Sequence, residues 1–145
     1  MKAFQFRLQR VLQLRETEVK REEARLEQLY TERRRLESER DALAASVERM
    51  SAAVRGQQFL HPSDLVALDH YKEHVKKELV RFAEKLAAQE AEIEKQRARV
   101  IAARARVKLL EKLREKRHEE WEIGRERELE ELAADFSAAQ WLREE

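Results

Sequence analysis

The chain has 145 residues, of which 42% are charged and 6% aromatic, with two glycines, one proline and no cysteine. This composition is typical of long helices and disfavours strands or a large compact core. The 31 Lys and Arg nearly balance 30 Asp and Glu, which disfavours a nucleic-acid-binding protein, and the lack of Cys excludes disulfides and thiolate metal sites. Without a membrane-spanning apolar run or a secretory signal, we expect a cytoplasmic protein with no direct membrane insertion.

The first helical pattern covers about residues 4–55. Its apolar side chains recur with heptad spacing, which keeps one seam of a helix facing a partner helix. Four charged residues, Arg15, Glu22, Arg33 and Arg40, interrupt the seam. The apolar seam positions are Leu8, Leu12, Val19, Leu26, Leu29, Leu36, Leu43, Val47, Met50 and Val54.

The stretch "RGQQFLHPSDL" is the one convincing break in the helical pattern. Gly56 can adopt the left-handed conformation that ends a helix, and Pro62 or Ser63 can begin the next helix. A turn at about residues 56–62 between two long helices favours an antiparallel hairpin. We therefore expect residues 1–145 to form a single coiled-coil domain.

The second helical pattern covers about residues 63–142 and carries a second seam. Polar residues interrupt it at Lys72, Gln89, Gln96, Arg114 and Arg117. The predicted fold is all-α, a single long antiparallel two-helix coiled-coil hairpin with the second helix overhanging. The apolar seam positions are Leu65, Leu68, Val75, Leu79, Phe82, Leu86, Ile93, Val100, Ala103, Val107 and Leu110, reaching Trp121.

The two predicted helices differ in length, at roughly 75 Å and roughly 120 Å for 1.5 Å per residue. With the turn centred near Phe59, Phe4 lies opposite about residue 114 in the predicted hairpin. The overhang beyond it still carries an apolar stripe, Leu129, Leu132 and Phe136. An apolar stripe without an internal partner predicts an external one.

Charge is segregated along the second helix. Residues 95–117 contain ten Lys or Arg and two Glu, whereas residues 119–145 contain three Arg and ten Asp or Glu. The predicted hairpin places the basic block beside Lys2, Arg7, Arg10 and Arg15, which would make a positive collar that fits an acidic partner. Solvated helix faces with ion pairs three or four residues apart are the alternative explanation.

The opening stretch "MKAFQFRLQRVLQLRE" has more apolar surface than one partner helix needs. Its extra residues could form a second contact, or they could fold back onto the long helix. A third interpretation is an amphipathic membrane-surface or targeting segment. The apolar residues concerned are Phe4, Phe6, Leu8, Val11, Leu12 and Leu14.

The sequence contains no pattern typical of an enzyme. A phosphate-binding glycine loop, a nucleophile elbow and a zinc-binding His-Glu-x-x-His helix are all absent. His70 and His74 lie one helical turn apart, but two ligands alone make a weak metal site. We therefore expect no catalytic activity, no cofactor and no metal.

Three segments resemble the FliJ family, the soluble coiled-coil component of the flagellar type III export apparatus. They are "FQFRLQRVLQLRE", "ARVKLLEKLREKRHEEW" and "RERELEELAADF", and the resemblance covers nearly the whole chain. One departure is "LEELAADF" in place of the family's frequent Leu-Asp-Glu run, which puts contacts ascribed to that run in doubt.

The resemblance implies a stalk similar to that of the rotary ATP synthase gamma subunit. Its terminal end would dock in the hexameric flagellar export ATPase and promote ring assembly and activity. The stalk would also contact the membrane export gate, with Tyr71, Val75 and Leu79 as the candidate surface, and escort export chaperones. The implied ATPase-binding residues are Phe4, Phe6, Arg7, Leu8, Val11, Leu12, Arg15, Lys108, Lys112, Arg114, Arg117 and Trp121.

The sequence leaves two alternatives open and disfavours a third. The chain could be a homodimeric scaffold whose overhangs pair with each other, whereas the stalk hypothesis expects a free monomer. It could be the equivalent stalk of a virulence type III secretion system. A prefoldin-like holdase would need strands between its helices, and the connection is too short for a pair of them.

Overall fold

The computed structural model describes residues 2–144 and contains two helices, α1 (Gln9–Arg55) and α2 (Pro62–Glu144). No strand occurs among these residues. The chain is therefore an all-α helical hairpin, as the sequence predicted. A short irregular connection of residues 56–61 joins the two helices.

Helix α1 begins later than the sequence suggested. Residues 2–6 are irregular, residues 7 and 8 form a turn, and the helix begins at Gln9 rather than near residue 4. The backbone N–H of Gln9 donates to the carbonyl oxygen of Phe6 at 3.1 Å, which closes this turn. The first apolar residues therefore do not follow helical spacing.

Local hydrogen bonds end α1 and begin α2. The Gly56 N–H donates to the Ala52 carbonyl at 3.0 Å. The expectation that Gly56 adopts the left-handed conformation is wrong, because no residue among 2–144 has a positive φ. Of the two starts that the sequence offered, Pro62 and Ser63, α2 begins at Pro62, since proline lacks the N–H that a first helical turn leaves unpaired. The Asp64 N–H then donates to the His61 carbonyl at 3.0 Å.

The contacts of the chain fall into two compact units, which are described separately. The turn unit comprises residues 21–100, and the end unit comprises residues 2–20 together with residues 101–144. Each unit contains parts of both helices.

The buried side chains of the turn unit lie on the predicted seams. Leu36, Val75, Ile93 and Val100 are all at least 93% buried. Near the connection the buried position differs from the prediction, because Ser51 is 3% exposed while Met50 is 45% exposed. Val47 is half-buried, and Ser51 lies four residues after it. This spacing is close to the 3.6 residues per turn of a straight helix, so Ser51 faces the same side as Val47.

Two glutamines at polar positions of the second seam form hydrogen bonds from α2 to α1. Gln89 Nε2 donates to the Leu29 carbonyl at 2.9 Å, and Gln96 Nε2 donates to the Glu22 carbonyl at 3.0 Å. Gln96 Nε2 also donates to the Glu22 carboxylate. Residue 59 lies midway in both pairs, so the register of the turn unit agrees with a turn centred near Phe59.

The end unit has a smaller core. Leu12 and Ala103 are its buried apolar residues, at 2% and 3% exposed. Val107, Leu110 and Leu113 are half-buried on the same side of α2. From residue 122 to residue 143 every residue except Gly124 is exposed.

Neither described helix is long and apolar enough to cross a membrane.

Candidate functional site

Three rings meet where the N-terminal segment lies against α2, within the end unit. The Phe4 ring makes an edge contact with His118, with 4.9 Å between centroids and 87° between ring planes. Phe4 also lies 6.1 Å from Trp121, and His118 lies 5.7 Å from Trp121. Such spacings are in the range of favourable aromatic pairs. We call Phe4, His118 and Trp121 the ring cluster.

Polar and charged groups fix Trp121 within the ring cluster. Its indole Nε1 donates a hydrogen bond to the Lys2 carbonyl at 3.1 Å. The guanidinium of Arg125 lies 5.6 Å from the centre of the Trp121 ring, a cation–π contact. His118 Nδ1 lies 3.6 Å from a Glu122 carboxylate oxygen. The N-terminal segment is therefore bound to α2 through both its backbone and its side chains.

The ring cluster lies further along α2 than the sequence predicted. Phe4 was expected opposite about residue 114 but contacts His118 and Trp121. The irregular segment of residues 2–6 explains the difference, because irregular chain reaches up to about 3.3–3.6 Å per residue and a helix only 1.5 Å. The extra apolar residues at this end thus fold onto the long helix at Phe4, which was one of the open alternatives.

The twelve candidate ATPase-binding residues all belong to the end unit. Leu12 is in the core and is closed to a partner while the end unit stays folded. Phe4, Phe6, Arg15 and Trp121 are half-buried. The exposed remainder consists of Arg7, Leu8, Val11, Lys108, Lys112, Arg114 and Arg117.

An open cleft marks the same place. It is lined by residues 2–8 from one side and by Leu113, Arg117 and Trp121 of α2 from the other. Its walls are mixed, with aromatic rings, aliphatic side chains and cationic groups. Such a lining suits a protein surface that binds another protein, and it offers no converging acid–base pair for catalysis.

The basic collar is only partly neutralised by its neighbours. Arg15 pairs with Glu18 at 2.9 Å, and Arg117 pairs with Glu120 at 3.0 Å. In each pair the two residues lie three positions apart on one helix. Within residues 2–144, Lys108, Lys112 and Arg114 show no ion pair within 4 Å. Solvated pairing therefore accounts for Arg15 and Arg117 but not for Lys108, Lys112 and Arg114.

The candidate gate-binding residues lie in the seam of the turn unit. Val75 is 1% exposed, and the Tyr71 hydroxyl is 2.5 Å from the Ser46 hydroxyl of α1. Leu79 is half-buried. A partner reaches Val75 only if α1 moves away from α2.

The predicted overhang stripe is open to solvent. Leu129, Leu132 and Phe136 are 54%, 57% and 80% exposed. Each lies beyond Trp121, which contacts the N-terminal segment at Phe4 and Lys2. The stripe remains a candidate interaction surface.

The two histidines at 70 and 74 are both exposed. Among residues 2–144 no group of three or more His, Cys, Asp or Glu side chains could hold a metal ion. Sequence reasoning did not single out His118 or Arg125. Their spacing was a usable signal, because His118 and Arg125 lie one helical turn before and after Trp121.

The fold and the candidate site define a two-helix hairpin with an open cleft between the N-terminal segment and α2. The family model for the flagellar FliJ protein matches residues 4–145. The chain belongs to the FliJ family and is a component of flagellar type III export, a non-enzymatic role in that family. No curated protein and no solved structure matches the chain.

Proposed function

We propose that this chain is the stalk that docks in the hexameric flagellar export ATPase and promotes its assembly and activity. The observation that carries the proposal is the end unit, which contains the ring cluster, the open cleft and the exposed cations Lys108, Lys112 and Arg114. A rigid helical end with a cationic collar suits insertion into an acidic, ring-shaped partner, because complementary charge speeds and orients association.

Two further roles belong to the same proposal. We propose that the stalk contacts the membrane export gate through the α2 region around Tyr71, Val75 and Leu79, and that it escorts export chaperones. Since Val75 is 1% exposed, the gate contact needs either local separation of α1 and α2 or use of the exposed neighbours on α2. Peripheral association with the cytoplasmic face of the membrane would follow from the gate contact.

The docking proposal is tested by titrating the chain into the cognate export ATPase while hydrolysis and light scattering are recorded together. We expect stimulation that tracks ring assembly. Arg114→Glu with Arg117→Glu should reduce stimulation at least about tenfold, because two exposed cations become anions and a lost charge-pair contact costs about 1.4 kcal/mol or more.

The matched control carries the same charge change away from the end unit. Lys76→Glu with Lys77→Glu alters two exposed cations of α2 in the turn unit and should leave stimulation within twofold. Circular dichroism should show equal helicity for both variants. Unchanged stimulation by the Arg114 and Arg117 variant would contradict the docking site, and equal loss in both variants would contradict its location.

A homodimeric scaffold is the second candidate, favoured by the exposed stripe of Leu129, Leu132 and Phe136. Pairing of two overhangs would bring together two segments that each carry ten acidic residues and three Arg. Like charges in register destabilise helix pairs, so charge disfavours this arrangement. Light scattering of the free chain decides the matter, because docking expects a monomer.

A further inference from the structure

The face of α2 that binds the N-terminal segment continues further along the same helix with apolar side chains. Trp121 contacts Phe4, His118 and Arg125, and its indole donates to the Lys2 carbonyl. His118 also contacts Phe4. Eleven residues later stand Leu129, Leu132 and Phe136, one for one. Eleven residues are three helical turns plus about 20°, so both triplets lie on one face of α2.

The two triplets differ in their contacts with the N-terminal segment, because only the first contains residues that touch it, although His118 and Arg125 are themselves exposed. Trp121 is half-buried by the N-terminal segment, whereas Leu132 is 57% and Phe136 80% exposed. The second triplet thus lies on the same face of α2, beyond the residues that contact the N-terminal segment. Three apolar side chains spaced three and four residues apart are the pattern that a partner helix covers.

The charges beside the second triplet indicate the chemistry of that partner. Glu122 and Glu126 follow one edge of the stripe, and Asp135 lies on the other edge. Residues 119–145 as a whole hold ten acidic residues and three Arg. This surface repels a second copy of itself and an anionic membrane, and it attracts a helix with cationic edges.

We infer that residues 122–143 of α2 form a docking surface for a basic amphipathic helix of another protein. This helix lies on Leu129, Leu132 and Phe136 as a continuation of the N-terminal segment, with Lys or Arg side chains against the acidic edges. The inference concerns a surface beyond the collar, and its test does not involve the ATPase, so either proposal can fail alone.

The test uses the full chain and two synthetic helical peptides of about 21 residues, roughly 30 Å long. Both peptides carry Leu at the same three- and four-residue spacings. One carries Lys at the flanking positions and the other carries Glu. Fluorescence anisotropy of the labelled peptides measures binding at low and at 0.5 M salt, where exposed charges are screened over about 4 Å.

We expect the Lys peptide to bind at least about tenfold more tightly than the Glu peptide, with a preference that shrinks at high salt. Leu132→Glu with Phe136→Glu should weaken binding at least about tenfold. The matched control is Ile123→Glu with Trp141→Glu, because both residues are exposed and lie nine positions from Leu132, on the opposite face. This control should stay within about twofold.

Several results would overturn the inference. Equal affinity for the two peptides would remove the charge argument, and equal loss in both variants would show unspecific apolar binding. If neither peptide binds at a chain concentration 100 times the dissociation constant of a weak micromolar complex, the surface is excluded. Self-association of the chain that disappears on Leu132→Glu with Phe136→Glu would assign the stripe to a second copy instead.

Discussion

Trp121 and Lys2 are 119 residues apart in sequence and are joined by a hydrogen bond from the indole Nε1 to the Lys2 carbonyl oxygen. The acceptor is a backbone group, so the bond depends on the tryptophan and not on the lysine side chain. Together with the Phe4 contact, this bond holds the irregular segment before α1 on the surface of α2.

Replacing Trp121 should therefore release the N-terminal segment. We expect tryptic cleavage after Arg7 to become at least about fivefold faster in Trp121→Ala, because local opening exposes the backbone there. Trp121→Phe keeps a ring and loses the donor, so its effect should be intermediate. Trp141→Ala changes an exposed tryptophan of the same helix and should leave the rate unchanged. Equal rates for Trp121→Ala and the wild type would show that the segment is not held by the ring cluster.

The turn unit should be sensitive to its one fully buried isoleucine. Ile93 is 0% exposed, and Ile93→Ala should lower the free energy of unfolding by about 2–5 kcal/mol because it removes buried methyl groups and leaves a cavity. Ile101→Ala makes the same change at a residue that is 67% exposed, and it should cost less than about 1 kcal/mol. Urea unfolding followed by circular dichroism measures both. A similar loss in the two variants would contradict the packing of α1 against α2.

The glutamine at position 96 should stabilise the hairpin through its cross-helix bonds. Gln96 is 2% exposed and donates to both the carbonyl and the carboxylate of Glu22. Gln96→Ala leaves those acceptors without their donor, and we expect a loss of about 1–3 kcal/mol in the free energy of unfolding. Gln140→Ala, at an exposed position of α2, serves as the control and should change stability by less than about 0.5 kcal/mol. A Gln96→Ala variant as stable as this control would argue against the cross-helix bonds.

The end of α1 should tolerate a side chain at its glycine. Gly56 does not have a positive φ, and an added Cβ would lie 3.4 Å from the Ala52 carbonyl oxygen, an ordinary contact distance. Gly56→Ala restricts the unfolded chain without straining the folded one, so we expect it to be neutral or to stabilise by up to about 1 kcal/mol. Equilibrium unfolding tests the sign. Destabilisation by 1 kcal/mol or more would mean that Gly56 needs the left-handed conformation that the sequence suggested.

Removing the exposed end of α2 should cost little stability. Residues 126–143 bury no side chain in the described structure. A chain ending at Arg125 should keep its free energy of unfolding within about 0.5 kcal/mol, because little apolar surface is lost from the folded core. The same urea experiment measures it, with the full chain as reference. A larger loss would show that this segment stabilises the hairpin from within.

The heptad pattern was sufficient for the two helices, the single connection and most of the core. Leu12, Leu36, Val75, Ile93, Val100 and Ala103, the buried apolar residues, all stand at seam positions that the sequence shows. The two glutamines that interrupt the second seam were visible as well. Their bonds to the carbonyls of Leu29 and Glu22 were not, because the acceptors are backbone groups that every residue carries.

The ends of the helices were less predictable. Phe4, Phe6 and Leu8 have helix-compatible neighbours, yet the chain is irregular before Gln9 because Phe4 packs on His118 and Trp121 instead of following helical spacing. Because of this contact, Phe4 lies against residues 118 and 121 and not opposite about residue 114, where the sequence placed it. Burial of Val75 was implied by the seam, but its consequence for gate binding emerged only with the position of α1.

The sequence by itself determined that this protein is a long helical hairpin, since heptad spacing and one Gly–Pro break act locally and leave few alternatives. It also determined the charge of each segment and the apolar stripe of Leu129, Leu132 and Phe136 on α2. Only the tertiary structure decided which residues of α2 contact the N-terminal segment, because the ring contacts of Phe4 with His118 and Trp121 depend on how far an irregular segment reaches. The contact of Lys2 with Trp121 joins residues 119 positions apart, and no local pattern specifies such a pair.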